Sequence, residues 1–343
     1  MLTYPCMLRF PVRPDALPLN LIWDFETTSR NGVRFAGFQA AGHLDNSQCK
    51  CQITSMSSNG FQIHELPDLK NPLLIAGFDG WGNALKISSG MAAYLIRTFK
   101  ARRFAELDPD VFFRYDENRP VVQIEDGRFK NLSSPGGTFY AAQTAPDGRD
   151  LVILKADEPS LRWFGFVDEL LNLCSRLHIE TIITLGSMYD HVLHTDRILS
   201  ATASNAQLSS MLKQKGVNSI SYQGPSAIHS TIHSEALKRD IAGISLWCHC
   251  PYYLQGTTHF GILAHLGEML STIGGFDLNI EGLEASWEKL NIQIENLIDN
   301  NTDLPAVINE LRKAKVRGAA ARRTGAVKSD EKIINIHDLL QPK

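Results

Sequence analysis

The chain has 343 residues, 43% of them hydrophobic and 21% charged, with a formal net charge of −3. Those are globular values, and the length suits one large α/β unit with additions better than a single ordinary domain. The near-balanced charge gives no general pull toward nucleic acid or a membrane surface. No apolar run approaches the roughly 18 residues of a spanning helix, and no charged segment followed by an apolar stretch opens the chain. These features point to a cytoplasmic protein with no nucleic-acid and no membrane partner. Six scattered cysteines fit a reducing compartment rather than a disulfide framework.

Residues 1–62 show no sustained period of two or of 3.6, and their polar, turn-rich segments read as a poorly ordered N-terminal extension. Met56 could serve as the start of translation, and a short β-ribbon around 33–40 is the alternative to disorder. From Pro67 a regular grammar begins, and an α/β core is expected over 63–276. An apolar strand at 73–78 runs into the glycine turn Gly77-x-x-Gly80-x-Gly82 and a helix over 83–100. A strand entering a helix through such a turn is half of a βαβ unit. Its free N–H groups make a favourable place for an anion. The turn is neither Gly-x-Gly-x-x-Gly nor a P-loop, so its glycines either hold a ligand or only permit a tight turn.

Further strands are expected at 120–125 (an edge hairpin), 151–155, 181–186, 219–222 and 243–250, and helices at 161–178, 206–215 and 230–241. The alternation predicts a mainly parallel sheet covered by helices on both faces. Cys174 lies on the apolar stripe of the 161–178 helix and reads as a packed core thiol. The segment 187–197 follows a central strand and gathers Ser187, Asp190, His191, His194, Thr195, Asp196 and Arg197. Those are triad and ligand types, but no Gly-x-Ser-x-Gly elbow is present and His-x-x-His with one acid is a weak metal signature. Cys248-His-Cys250 and Cys49-x-Cys51 have spacing too short for a structural zinc site. Cys248 and Cys250 would face one side of a strand. No metal and no cofactor are expected. Gly224-Pro225 repeats the strand-to-helix turn, with Ser226 as a candidate cap.

A helical end follows. One helix over 258–273 stops at Gly274-Gly275, and the next carries Ile280, Leu283, Trp287, Leu290, Ile294 and Leu297 at 3-4-3-4-3 spacing. That seam packs either on its own domain, on a helix expected over 303–316, or on a partner, so C-terminal helices are assigned to 277–318. Residues 319–343 read as a basic flexible tail.

These motifs carry a resemblance. Leu74-Ile-Ala-Gly-Phe-x-Gly-Trp-Gly-Asn83, Leu107-Asp-Pro-Asp-x-Phe112, Glu158-Pro-x-x-x-Trp163, Thr184-Leu-Gly186, His194-Thr195, Gly224-Pro225 and Trp247-x-His-x-Pro-x-Tyr253 fall in an order that resembles prokaryotic members of the proteasome assembly chaperone 2 family, over about residues 66–300. Cys248 departs from the small residue common there. The resemblance implies a phosphorylase/hydrolase-like α/β sandwich with a helical C-terminal part, assembled as a homo-oligomer, with a trimer in view. Eukaryotic relatives act in pairs as scaffolds for proteasome α-rings, so a protein client is implied. Some members carry an ATP-grasp or carboxylate–amine ligase label, but the Mg²⁺-binding acid and lysine pattern for it is not found here.

The family brings no agreed catalytic residues, only recurrent loops. The ligand-binding candidates are therefore Gly77, Gly80, Gly82, Asn83, His194, Thr195, Gly224 and Pro225. The expected function is a non-catalytic, chaperone-like or ligand-binding scaffold. The alternative is an enzyme on a phosphorylase-like fold acting on a small anionic or nucleoside-like substrate, with His194 as its acid/base group.

Overall fold

The computed structural model describes residues 56–57, 60–145, 147–300, 305 and 308–309. The chain opens with β1 (Met56–Ser57), β2 (Phe61–Ile63) and β3 (Leu73–Asp79), then a 3-10 turn (Ala84–Lys86) and α1 (Ile87–Thr98). Next come β4 (Arg102–Leu107), α2 (Pro109–Phe112), β5 (Val121–Glu125), β6 (Arg128–Ser133), β7 (Gly137–Ala142), β8 (Leu151–Asp157) and α3 (Trp163–Arg176). They lead into β9 (Thr181–Asp190), β10 (Leu199–Ala203), α4 (Ala206–Gln214), β11 (Asn218–Ser219), α5 (Ile228–Leu237) and β12 (Ala242–Pro251). A 3-10 turn (Tyr252–Leu254), α6 (Phe260–Gly274) and α7 (Glu281–Asp299) complete the described elements.

Among the described residues ten strands form one sheet in the order β1-β2-β4-β7-β8-β3-β9-β12-β10-β11. Its centre, β8-β3-β9-β12, is parallel. Strands β2, β4 and β7 join one side antiparallel, and β10 pairs antiparallel with β12 on the other. The central strands are mostly apolar because both faces are covered, with charged residues only toward their carboxyl ends. Leu73 and Ile75 share one face with Leu151, Ile153, Ile183, Leu185, Ile244 and Leu246, under residues of α1, α6 and α7. Leu74, Ala76 and Phe78 face the other way, toward α3 and α5. Cys174 is buried in the second core, and Cys248 and Cys250 in the first. Burial pushes the Cys174 and Cys250 thiols up to about 12, so both are inert packing groups. Among the described residues no helix is long and apolar enough to cross a membrane.

Several expectations need adjusting. The sheet reaches into the segment read as an extension: Phe61 is 1% exposed and its ring meets Phe112, Phe139 and Phe166. Residues 1–55, with Cys49 and Cys51, and the tail beyond residue 309 lie outside the described residues. The strand expected at 219–222 is only Asn218–Ser219. Strand 120–125 is a hairpin strand, paired with β6 in a separate two-stranded sheet. The helix expected over 303–316 is described at Pro305, Ile308 and Asn309 alone, and Ile308 is buried in the first core. The seam of α7 is covered from within. Leu283, Trp287, Leu290 and Ile294 are buried in the same chain, with α6 packed alongside. The indole of Trp287 stacks on His259, with centroids 4.5 Å apart.

Candidate functional site

The glycine turn leaves β3 and enters α1 through two non-glycine residues with positive φ, Leu85 (52°) and Lys86 (55°). Gly77 is required by close approach: a Cβ there would stand 2.6 Å from the Ser88 carbonyl oxygen. The free N–H groups expected at this helix start are taken by Asn83. Its Oδ1 accepts from the Ser88 N–H at 2.9 Å and the Ser89 N–H at 3.3 Å. Its amide donates to Asp79 Oδ1 and Ser89 Oγ, each at 2.9 Å. Asn83 is therefore a buried helix cap.

The second turn is filled in the same way from far along the sequence. Glu158 Oε1 accepts from the Ile228 N–H at 2.8 Å, at the start of α5, while Oε2 accepts from the Trp81 N–H at 3.0 Å. One carboxylate thus ties the glycine turn to the second helix N-terminus, where its charge opposes the positive end of the dipole. Gly80 leaves room for it, since a Cβ there would meet the Glu158 carboxylate at 2.6 Å. The place expected for an anion is taken by the chain's own acceptors, the Glu158 carboxylate and the neutral amide oxygen of Asn83. Gly224 and Pro225 are exposed, with the Tyr222 hydroxyl donating to the Pro225 carbonyl at 2.8 Å. Gly82 is buried beside the Trp247 and His229 rings.

His194 is 1% exposed. Its Nδ1 lies 2.8 Å from the Tyr253 hydroxyl, its Nε2 3.0 Å from Glu295 Oε1, and its carbonyl accepts from His259 Nε2 at 2.9 Å. It locks the loop after β9 to α7. His191, three residues earlier, is exposed and meets Tyr252 edge-on, so the pair faces two different environments. Thr195 is exposed; Arg197 makes a bidentate pair with Glu284 at 2.6 and 2.8 Å. Asp190 holds His249 at 2.8 Å, and that hydrogen bond keeps its carboxyl below the usual range. Among the described residues no group of three or more His, Cys, Asp or Glu could hold a metal ion.

The concave surface lies elsewhere. At the carboxyl ends of β3 and β8 two clefts, of about 420 and 590 Å³, share Asp79, Ser133, Ser134, Pro135 and Asp157 and form one groove. Of the sequence candidates only Gly80 lines it. His194, Thr195, Gly224 and Pro225 line neither cleft. Residues the sequence reading passed over make this groove. Asp79 and Asp157 stand opposite each other in the parallel register, and Trp81 and Trp163 are in its wall. Burial raises the Asp157 carboxyl above its ordinary value, with a smaller push from Asp79; the Gly136 N–H and Lys155 oppose this. The available signal was an acid closing each of two apolar strands, but pairing them needs a register that one sequence does not supply.

The fold has solved relatives. A proteasome-assembly chaperone homologue of Mycobacterium tuberculosis superposes with a TM-score of 0.63 at 24% identity, covering 69% of this chain and 99% of that one. A protein of unknown function from the same organism gives 0.70 at 20% identity over 77% and 93%. PbaB of Pyrococcus furiosus, an archaeal proteasome activator, gives 0.55 at 18% identity over 69% and 97%. No curated protein is significantly similar to the chain. The PAC2 family model matches residues 74–298, from the second residue of β3 to the last turn of α7. On that match, which spans well over half of its length, the chain belongs to the PAC2 family.

Proposed function

We propose that this chain is a non-catalytic, assembly-chaperone-like scaffold that works by binding protein, itself included as a homo-oligomer. The observation that carries this reading is the β5–β6 hairpin. The register places Val122 opposite Leu132 and Ile124 opposite Phe129, so these four side chains share one face. All four are exposed, as is Val121. A two-stranded hairpin with a wet apolar face is marginal alone, and exposed apolar patches usually mark contacts. The relatives' names point the same way: one is a proteasome-assembly chaperone homologue and another a proteasome activator. The client class proposed here is accordingly a proteasome-type subunit. The polar groups of the candidate loops support the same reading, since Asn83, Glu158 and His194 hold the fold together. No observation favours the enzyme reading.

Sedimentation velocity tests the proposal. The chain is run alone and with purified proteasome α-type subunits, as parent and as the double variant Ile124→Asp, Phe129→Asp. The expected result is an oligomer or a mixed complex that the variant loses while its melting temperature stays within a few degrees. A parent that is monomeric alone and forms no mixed complex would overturn the reading, as would a variant that associates like the parent.

A further inference from the structure

The groove between β3 and β8 is a crevice of the kind that takes ligands in α/β sheets. The helix after β3, α1, packs on one face of the sheet, while the helix after β8, α3, packs on the opposite face. The two strand ends therefore open away from each other, which is where such sheets bind. Asp79 and Asp157 close these strands in register, and the period of two puts both side chains on the same face, one strand spacing apart. Each has one oxygen engaged: Asp79 Oδ1 by the Asn83 amide at 2.9 Å, and Asp157 Oδ2 by the Gly136 N–H at 2.8 Å. Their other oxygens take no hydrogen bond among the described residues.

The wall is aromatic. The backbone of Trp81 is pinned by its bond to Glu158, yet its side chain leaves the residue 65% exposed in the groove. Trp163 turns its ring N–H to the Pro159 carbonyl, so that donor is engaged. Lys155, two residues before Asp157 on the same face, and Arg119 are the bases of the lining, against the four acids Asp79, Glu106, Asp157 and Glu158. With four acids and two bases the lining keeps a net negative charge beside indole rings, a combination that disfavours anions and attracts cations. Two carboxylates without a third ligating group suit an organic cation better than a metal ion.

We propose that this groove binds an ammonium or guanidinium group, with Asp79 and Asp157 as its counter-charges and Trp81 as its stacking face. The cation comes either from a lysine or arginine side chain of a protein or from a free polyamine. The base of the hairpin, Val121 and Ser133, borders the groove, but Ile124 and Phe129 do not line it, so cation binding that survives in the Ile124→Asp, Phe129→Asp variant separates the two proposals.

Isothermal titration of the full chain with three probes tests it: the N-acetylated, C-amidated peptide Gly-Gly-Arg-Gly-Gly, which has no terminal charges, its citrulline counterpart, and spermidine. Citrulline keeps the shape of arginine without the charge. The expected result is saturable binding of the arginine peptide or spermidine, weakened by salt, with the citrulline peptide at least about tenfold weaker, as loss of one charge-assisted contact implies. Preference for the peptide over spermidine assigns the cation to a protein side chain, and the reverse assigns it to a polyamine. Asp157→Asn keeps an acceptor for the Gly136 N–H, and Trp81→Ala alters an exposed side chain. Each should weaken binding by about tenfold or more with the melting temperature unmoved. Absence of saturable binding by either cation, equal binding of the citrulline peptide, or binding unchanged in both variants would overturn the proposal.

Discussion

Replacing His194 by alanine is the sharpest probe of what the loop after β9 does. The Tyr253 oxygen accepts from the His194 backbone N–H at 2.6 Å and lies 2.8 Å from Nδ1. The hydroxyl proton therefore points to Nδ1. Nε2 then carries the ring proton and donates to Glu295 at 3.0 Å. Alanine keeps the backbone bond but removes both side-chain bonds. Glu295, half-exposed, recovers water, whereas the buried Tyr253 hydroxyl loses its acceptor, a cost of about 1–3 kcal/mol. The vacated ring volume beneath Trp287 adds a cavity term. The sum is about 2–4 kcal/mol, which for a domain of this size lowers the melting temperature by roughly 5–12 °C. Thermal melts followed by circular dichroism, above the histidine titration range, measure it. His191→Ala, at an exposed site, should stay within about 0.5 kcal/mol. If His194→Ala melts within about 2 °C of the parent, the ring does not clamp α7. If it also abolishes a turnover found by substrate screening, His194 is the acid/base group of an enzyme.

Asn83→Ala removes the cap of α1 and should cost about 1–2 kcal/mol in urea unfolding; an unchanged midpoint would mean that water caps the helix equally well. Ile294→Glu places a carboxylate at a fully buried position on α7, so the chain should lose about 3–5 kcal/mol or fail to fold; a stable variant of lower mass in light scattering would return the seam to a subunit interface. Stability should also fall in mild acid. Burial lowers His233 and His259 to about 4, His229's charge adding to it at His233, and burial lowers His229 as well. Unfolded histidines titrate near 6.5, so below that pH the unfolded state binds more protons than the fold. The stabilisation is complete above about pH 6.5 and is lost as pH drops toward about 4, by up to about 1.4 kcal/mol per pH unit for each histidine. Urea midpoints that stay level from pH 8 to about pH 5 would contradict this.

The sequence showed the parallel centre because burial on both faces leaves an unmistakable apolar run. Residues 181–186 of β9 and 243–250 of β12 are read directly, and the helices that cover them follow from their 3.6 period; β9 runs on to Asp190 through residues that read as following the strand. The flanks were hidden for the opposite reason. β4 mixes two exposed arginines with Phe104, Ala105 and Leu107, and β10 is Leu-Ser-Ala-Thr-Ala, so neither has a clean alternation. What makes β2 a strand is Phe61 pairing opposite Leu107, a partner that no local window contains. The α7 seam shows a related limit. Its period fixes which residues are covered, but the covering group, α6 of the same chain, is a tertiary fact.

The glycine turn illustrates why a site is harder to read than a strand. Its sequence advertises N–H donors at a helix start, and donors alone suggest an anion. Whether they are free depends on acceptors elsewhere, and here one of them, Asn83, is local while the other, Glu158, arrives from 70 residues before Ile228 and 77 after Trp81. Once those donors are taken, what remains of the turn facing the groove is Asp79 and the Trp81 ring. Register then adds Asp157. The same residues that read as an anion cradle in one dimension therefore present negative charge and an aromatic face in three. Two negative side chains one strand spacing apart repel each other, Lys155 and Arg119 offset the acids of the lining only in part, and it is that residual negative charge, rather than the glycines, that gives the turn a specific chemistry.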